Sequence, residues 1–154
     1  MERVSDVATA AELAVDSLLS VLESARLAQS PAVPPTQLRV LAIVAGNRHT
    51  NMNRLAEALD VVPSSASRLC DRLEANGLLS RMPDPRDRRE VRLMLTPSAR
   101  RLLDDLRDRR RTALSVVLER MAPSARQELV RSLQAFDTAE RHHGGTGEAG
   151  LRSA

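Results

Sequence analysis

The sequence predicts a mainly α-helical fold of about six helices that carries one small β hairpin. Apolar residues recur at helical spacing over most of the 154 residues, and the pattern changes to strict alternation only shortly before Thr96. Phe136 is the only aromatic residue, so the core must consist of Leu, Val, Ala and Met. A core of this kind suits packed helices.

The first predicted helix covers residues 4–28. Its apolar residues follow a 3-4-3-4-3 spacing and lie on one stripe, which fits packing against a partner helix. The stripe consists of Val7, Ala11, Ala14, Leu18, Val21 and Ala25. Three prolines then interrupt the chain. A second helix is predicted over residues 36–45, with inward side chains from Leu38, Leu41 and Ala42.

Two further short helices are predicted between residues 50 and 76. Thr50 is expected to cap a helix over residues 51–59. The next helix covers residues 63–75, with Pro63 in its first turn and Asn76-Gly77 after its end. Helix, tight turn and helix in this order predict a helix-turn-helix.

The helix over residues 63–75 has two chemically different faces. The predicted inward face consists of Ala66, Leu69, Cys70 and Leu73. The predicted outward face consists of Ser64, Ser65, Ser67, Arg68, Asp71 and Arg72. Small hydroxyl side chains allow a helix to approach the floor of a DNA major groove, where Arg can bind guanine or phosphate. The alternative is an ordinary solvated face.

A basic hairpin is predicted after this helix. Residues 78–82 and 91–95 read as strands, and the loop between them contains Arg86, Arg88 and Arg89. Their mutual repulsion has a cost that a DNA minor groove would relieve through its negative potential. Asp87 is expected to orient a neighbouring guanidinium through a salt bridge. A solvated charge run is the alternative.

Two helices complete the fold, one from Pro97 to about Met121 and one from Pro123. We expect a single domain in which residues 4–30 and 97–141 form a helical dimerisation region. Residues 36–96 would form a winged helix-turn-helix lobe with a two- to three-stranded wing. Residues 142–154 are rich in glycine, lack periodicity and are expected to be a disordered tail.

Composition narrows the class of protein further. All 23 basic residues are Arg, the formal charge is +3, and a GC-rich genome would explain the missing Lys. Cys70 is the single cysteine, which excludes an internal disulfide. No apolar run suggests a signal segment or a membrane span, so we expect a soluble, cytoplasmic protein. No catalytic, metal-binding or cofactor-binding motif is present, so we expect neither an enzyme nor a cofactor.

The chain resembles the MarR (multiple antibiotic resistance regulator) family over about residues 5–141. The stretches that carry the resemblance are residues 53–59 (NRLAEAL), 64–79 (SSASRLCDRLEANGLL), 84–89 (DPRDRR) and 91–97 (VRLMLTP). The resemblance implies a triangular dimer whose first and last helices intertwine. It also implies that the helix over residues 63–75 enters the major groove while Arg88 and Arg89 enter the minor groove.

Two departures from the family pattern affect single residues. Family members often have Ser before the proline of the recognition helix, where this chain has Val62, which cannot cap. Redox-sensing members usually carry their cysteine in the first helix. Cys70 instead falls on the apolar face of the recognition helix, where a core role is expected.

The function expected from these observations is a homodimeric repressor of transcription on an inverted-repeat, double-stranded operator. The resemblance implies release by a small aromatic or phenolic effector in a cleft between the dimer helices and the DNA-binding lobe. Thr50 and Asn51 are assigned to the DNA backbone. The alternative is a winged-helix protein-interaction module that does not bind DNA. The effector and the operator sequence are not encoded in any recognisable pattern.

Overall fold

The computed structural model describes residues 3–30 and 32–144, and within them it has six helices and one three-stranded sheet. The helices are α1 (Val4–Leu27), α2 (Pro35–Gly46), α3 (Met52–Leu59), α4 (Pro63–Ala75), α5 (Pro97–Leu118) and α6 (Pro123–Gly144). The strands are β1 (Thr50–Asn51), β2 (Leu79–Pro83) and β3 (Val91–Leu95). The predicted fold class is confirmed.

The chain divides into two compact units, the first ending at Ala113 and the second beginning at Leu114. The first unit contains α1 to α4, the sheet and most of α5, and the second contains the end of α5 and α6. The division into a winged lobe over 36–96 and a dimerisation region stays a prediction. None of the helices in the described part of the chain is long and apolar enough to cross a membrane.

The core of the first unit lies between α2, α3, α4, the sheet and α5. Its most deeply buried members are Val40, Leu41, Leu55, Ala66, Cys70, Leu73, Leu79, Leu93 and Ala99. The predicted inward face of α2 is right for Leu38 and Leu41 but wrong for Ala42, which is exposed. Val40 and Val44 are buried instead, so the buried face of α2 is rotated relative to the one predicted.

The sheet has the order β1-β3-β2, and both pairings are antiparallel. The hairpin of β2 and β3 places Leu79 opposite Leu95 and Pro83 opposite Val91. The additional strand corrects the predicted helix start, because Thr50 belongs to β1 and pairs with Leu93. A two-residue strand has too little alternation to be recognised in the sequence.

Two polar devices fix the ends of α4 and α5. Gly77 follows α4 with a φ of 69°, the left-handed conformation that glycine adopts without strain. The backbone N–H of Leu78 then donates to the carbonyl of Leu73 at 2.9 Å. The Thr96 hydroxyl donates to the carbonyl of Gly77 at 2.7 Å and accepts from the N–H of Ala99 at 3.2 Å. Thr96 therefore caps α5 and ties its start to the end of α4.

The end of α1 is held against α5 by a buried amide. Gln29 is only 5% exposed, and its Nε2 donates to the carbonyl of Leu102 at 2.9 Å. Asp105 beside it accepts from Arg109 Nε at 2.8 Å, and this hydrogen bond lowers the pKa of Asp105. Arg109 also donates to the carbonyl of Ala28 at 3.1 Å.

Two helix ends differ from the prediction. The long helix α5 stops at Leu118 rather than near Met121. The turn after it is stabilised by Arg126, which donates to the carbonyls of Met121 and Glu119 at 3.1 and 3.2 Å. α6 continues to Gly144, so residues 142–144 of the predicted tail are helical. The rest of that predicted tail, residues 145–154, lies outside the described residues.

Candidate nucleic-acid interface

The outer face of α4 carries polar side chains that have no task inside the protein. Ser64, Arg68 and Arg72 are exposed, and Ser65 and Ser67 are half-buried. None of these five side chains forms a hydrogen bond or an ion pair with any other residue in 3–30 or 32–144. Their donors and acceptors are therefore free for a ligand outside the chain.

The loop between β2 and β3, residues 84–90, is shaped by two aspartates. Asp84 accepts from the backbone N–H of Arg86 at 2.8 Å, and Asp87 accepts from the backbone N–H of Arg89 at 2.9 Å. The predicted salt bridge of Asp87 is absent from the ion pairs of the described residues, because its carboxylate binds backbone rather than a guanidinium. Each aspartate makes the tight local turn typical of this residue type.

These turns leave the three arginines of the loop exposed. Arg86, Arg88 and Arg89 have no side-chain hydrogen bond or ion pair within the described part of the chain. The loop has no net charge, because Asp84, Asp87 and Glu90 balance the three arginines, but its guanidinium groups are exposed and unpaired. Exposed guanidinium groups of this kind are suited to the negative potential of a narrow minor groove.

Arg81 on β2 connects the hairpin to α4, a role that the sequence analysis missed. Its Nη2 lies 2.7 Å from Asp71 Oδ1, and its Nη1 lies 3.2 Å from Glu74 Oε2. Nη2 also lies 3.5 Å from the carbonyl oxygen of Ser67. The hydrogen bond with Asp71 is the main reason that the pKa of Arg81 is raised. One guanidinium thus holds α4 and the hairpin together.

The structure does not support the DNA-backbone contact predicted for Thr50. Thr50 is 2% exposed because it lies in β1 against β3, and its hydroxyl lies 3.5 Å from the carbonyl of Asn47. Asn51 caps α3 by accepting from the N–H of Arg54 at 2.9 Å. Its Nδ2 donates to Glu90 Oε2 at 3.4 Å, so both ends of the amide already have partners.

Cys70 lies in the core on the inner side of α4, beneath the serine-rich face formed by Ser64, Ser65 and Ser67. Its exposed fraction is 0%, and burial raises the pKa of its thiol. The uncharged thiol is therefore the stable form, which argues against a reactive thiolate. Among the described residues, no group of three or more His, Cys, Asp or Glu side chains is placed to hold a metal ion.

Known proteins place the chain in a family. The sequence profile of the MarR family matches residues 33–91. The crystal structure of RV1404 from Mycobacterium tuberculosis is 32% identical, with 90% of this chain and 95% of that protein covered and a TM-score of 0.82. The chain belongs to the MarR family. The resemblance found in the sequence is thereby confirmed.

Relatives in Bacillus subtilis (strain 168) are named as regulators of transcription. The HTH-type transcriptional repressor MdtR is 35% identical over 68 residues, which is 44% of each chain. The HTH-type transcriptional regulator YfiV is 27% identical over 103 residues, covering 67% of this chain and 64% of the relative. The match therefore spans less than two thirds of the length of both of these relatives.

Proposed function

We propose that this MarR-family protein is a sequence-specific repressor that binds a double-stranded, inverted-repeat operator as a homodimer. The observation that carries the proposal is the pair of unpartnered polar surfaces on α4 and on the hairpin loop. Arg81 ties β2, the strand that leads into this loop, to α4 through Asp71 and Glu74. Two elements held together in this way can enter two adjacent grooves of one duplex. A cytoplasmic location is part of this proposal, because the protein would act on chromosomal DNA.

The α4 face is proposed to read the major groove. Ser64, Ser65 and Ser67 are short enough to let the helix backbone come close to the bases and phosphates. Arg68 and Arg72 are exposed and lie one turn apart on the same helix. A guanidinium binds the O6 and N7 atoms of guanine through two parallel hydrogen bonds, which gives sequence discrimination.

The loop arginines are proposed to bind in the adjacent minor groove. Arg86, Arg88 and Arg89 are all exposed, and the backbone turns at Asp84 and Asp87 hold the loop in one shape. Pre-formed turns reduce the conformational entropy that is lost on binding. Because each contact releases counterions from DNA, the affinity should depend steeply on salt.

The proposed homodimer rests on apolar side chains that the single chain leaves exposed. On α1, Leu13 is 70% and Leu19 is 55% exposed, and on α6, Phe136 is 72% exposed. Other exposed apolar residues of α1, α5 and α6 are Val4, Val7, Val15, Leu27, Val116, Val117, Val130 and Leu133. Helices with so much exposed apolar surface are typical of an interface with a second chain.

The test measures binding of the full-length protein to a duplex selected from a random pool, by fluorescence anisotropy at several salt concentrations. The variant Arg88→Ala with Arg89→Ala should weaken binding by roughly tenfold or more, since each lost groove contact costs about 1–3 kcal/mol. The slope of log affinity against log salt should fall by about 1 for each phosphate contact that is lost.

The matched control replaces two other exposed arginines, Arg120→Ala with Arg131→Ala, which changes the net charge by the same amount. This control should retain nearly all of the wild-type affinity. Equal affinity for wild type and the loop variant would contradict the minor-groove role. Failure to select any duplex would favour the alternative, a protein-interaction module on the same fold.

Repressors of this kind must also be released from DNA. We propose release by a small molecule that binds the protein and changes the orientation of α4 and the hairpin relative to α5. A ligand shifts such an equilibrium only when it binds one arrangement better than the other. The resemblance suggests an aromatic or phenolic effector. A cavity beside α5 offers a site for a small molecule.

A further inference from the structure

A cavity with a volume of about 580 Å³ lies in the first unit between the end of α2, β3 and the first half of α5. Four arginines line it, and Asp104 is the single carboxylate among its lining residues. The arginines are Arg48, Arg92, Arg100 and Arg107. We call these four side chains and the space between them the arginine cleft.

Three of the four guanidinium groups have no partner among the described residues. Arg107 is paired with Asp104 at 2.9 Å. The side chains of Arg48, Arg92 and Arg100 form no hydrogen bond or ion pair within 3–30 and 32–144. The Nε atom of Arg92 is moreover buried without a hydrogen-bond partner. A buried, unsatisfied donor of a charged group is costly, and an anion in the cavity would satisfy it.

The apolar part of the cleft is aliphatic and small. It includes Val44, Leu93 and Leu103, and no aromatic side chain lines the cavity. An aromatic effector would therefore find no ring to stack against, whereas several carboxylate or phosphate oxygens would find three unpaired planar donors. Arginine binds such groups through paired, charge-assisted hydrogen bonds.

We propose that the arginine cleft binds a small polyanion with two or more carboxylate or phosphate groups, and that this ligand is the effector. The inference rests on the proposed function for its regulatory part and narrows the effector to a class other than phenols. The position of the cleft would allow a ligand to affect DNA binding. Strand β3 contributes Arg92 and Leu93 to the cleft, and the same strand begins directly after the hairpin loop. Leu93 is paired with Arg81, the residue that holds α4.

A ligand that binds both β3 and α5 would fix the angle between the hairpin and α5. Arg92 belongs to β3, and Arg100 and Arg107 belong to α5. Polyanion binding would therefore favour one arrangement of the hairpin and α4, and DNA would favour another. The two ligands would then weaken each other's binding reciprocally.

The experiment measures binding of citrate, pyrophosphate and salicylate to the full-length protein by isothermal titration calorimetry at constant ionic strength. At least one polyanion should bind ten or more times more tightly than salicylate, which carries a single carboxylate. Arg92→Gln with Arg100→Gln should weaken that binding tenfold or more, and Arg48→Gln should weaken it severalfold. Arg120→Gln, an exposed arginine in the turn after α5, is the matched control and should bind as wild type does.

Thermal melts show whether each variant is folded. If the double variant is unfolded, the single variant Arg48→Gln still tests whether the arginines bind the polyanion. Binding of neither polyanion, or equal binding in the arginine variants, overturns the proposal. The same variants are titrated with the selected duplex. They should bind DNA as wild type does without ligand, and the polyanion should release DNA from wild type only.

The outcomes separate this inference from the proposed function. If duplex binding is normal and no polyanion binds, the inference fails while the repressor function stands. If the unliganded cleft variants lose DNA affinity, the arginines bind DNA phosphate and the effector site is overturned. If a polyanion binds through the arginines but no duplex is selected, the repressor function and the effector role both fail.

Discussion

Arg81 holds together the two elements that carry the proposed DNA-binding surface. It joins β2 to α4 through Asp71 and Glu74, and its side chain is 29% exposed. Replacing it with methionine keeps an unbranched apolar stem and removes the guanidinium group with its charge. We expect Arg81→Met to lower the free energy of unfolding by about 1 kcal/mol, because partly exposed ion pairs contribute little.

The larger effect of Arg81→Met should be a loss of DNA affinity of severalfold or more, since the hairpin would lose its fixed position relative to α4. Urea denaturation and fluorescence anisotropy measure the two quantities. The stability difference should shrink in 1 M salt, where ion pairs are screened. Arg120→Met is the control, and an Arg81→Met protein with unchanged DNA affinity would contradict the positioning role.

Cys70 is expected to be chemically inert in the folded protein. Its side chain is fully buried, and burial raises the pKa of the thiol, so very little thiolate is present at neutral pH. A disulfide reagent such as Ellman's reagent at pH 8 should react with the native protein only at the rate of unfolding. It should react within seconds in guanidinium chloride. Rapid native reaction would show that the core around α4 opens easily.

For single residues, the sequence could identify the exposed side chains of α4 and of the loop, because polarity alone distinguishes the outward face of α4 from its inward face. It could not identify the partners of Arg81, Asp84 or Asp87, because those contacts depend on the register of a hairpin and the path of a turn. Thr50 was misassigned for the same reason. A hydroxyl before a helix reads as a cap, and only the pairing with β3 shows that it is buried.

Helix α4 begins without a side-chain cap at its N-terminus. Its N-cap is Val62, which is 62% exposed and has an extended backbone with φ −68° and ψ 148°. A serine accepts this conformation and can bind the free N–H groups of the first turn. We expect Val62→Ser to raise the free energy of unfolding by about 0.5–1 kcal/mol.

Val61→Ser is the control for this change, because Val61 is the preceding exposed valine and does not cap the helix. It should not raise stability. Chemical denaturation of both variants measures the difference. Equal effects in the two variants would mean that the gain comes from removing exposed apolar surface rather than from capping.

The element boundaries were predictable where local chemistry is strong. Pro63 and the Asn76-Gly77 pair bracket α4, and the alternation of residues 91–95 defines β3, so both agree with the structure. The end of α5 was placed three residues too late, because the turn is closed by Arg126 from the following helix. Contacts that come from a later element leave no local signal.

For the whole molecule, the unpaired apolar surface of the helices predicts that the single chain is not the working unit. Phe136 is 72% exposed on α6. We expect Phe136→Arg to weaken the dimer at least tenfold, since it removes a large ring that the proposed dimer would bury and places a charge in that interface. Analytical ultracentrifugation over a concentration series measures the change.

Gln134→Arg adds the same charge to another face of α6, where Gln134 is exposed, and serves as the control. It should dimerise as wild type does. The Phe136→Arg protein should also bind a full operator much more weakly than the control, because one lobe contacts only one half-site. A Phe136→Arg protein that stays dimeric at low concentration would contradict this interface.

We propose that the outer face of α4 and the loop between β2 and β3 bind one duplex together. Hydroxyl-radical and methylation-protection footprints on a selected operator distinguish this from binding by either surface alone. We predict two protected half-sites about one helical turn, roughly 34 Å, apart. Arg88→Ala with Arg89→Ala should lose the minor-groove protection and keep the major-groove protection. If this variant gave the same footprint as wild type, or if the wild-type protein gave none, the two surfaces would not act together on one duplex.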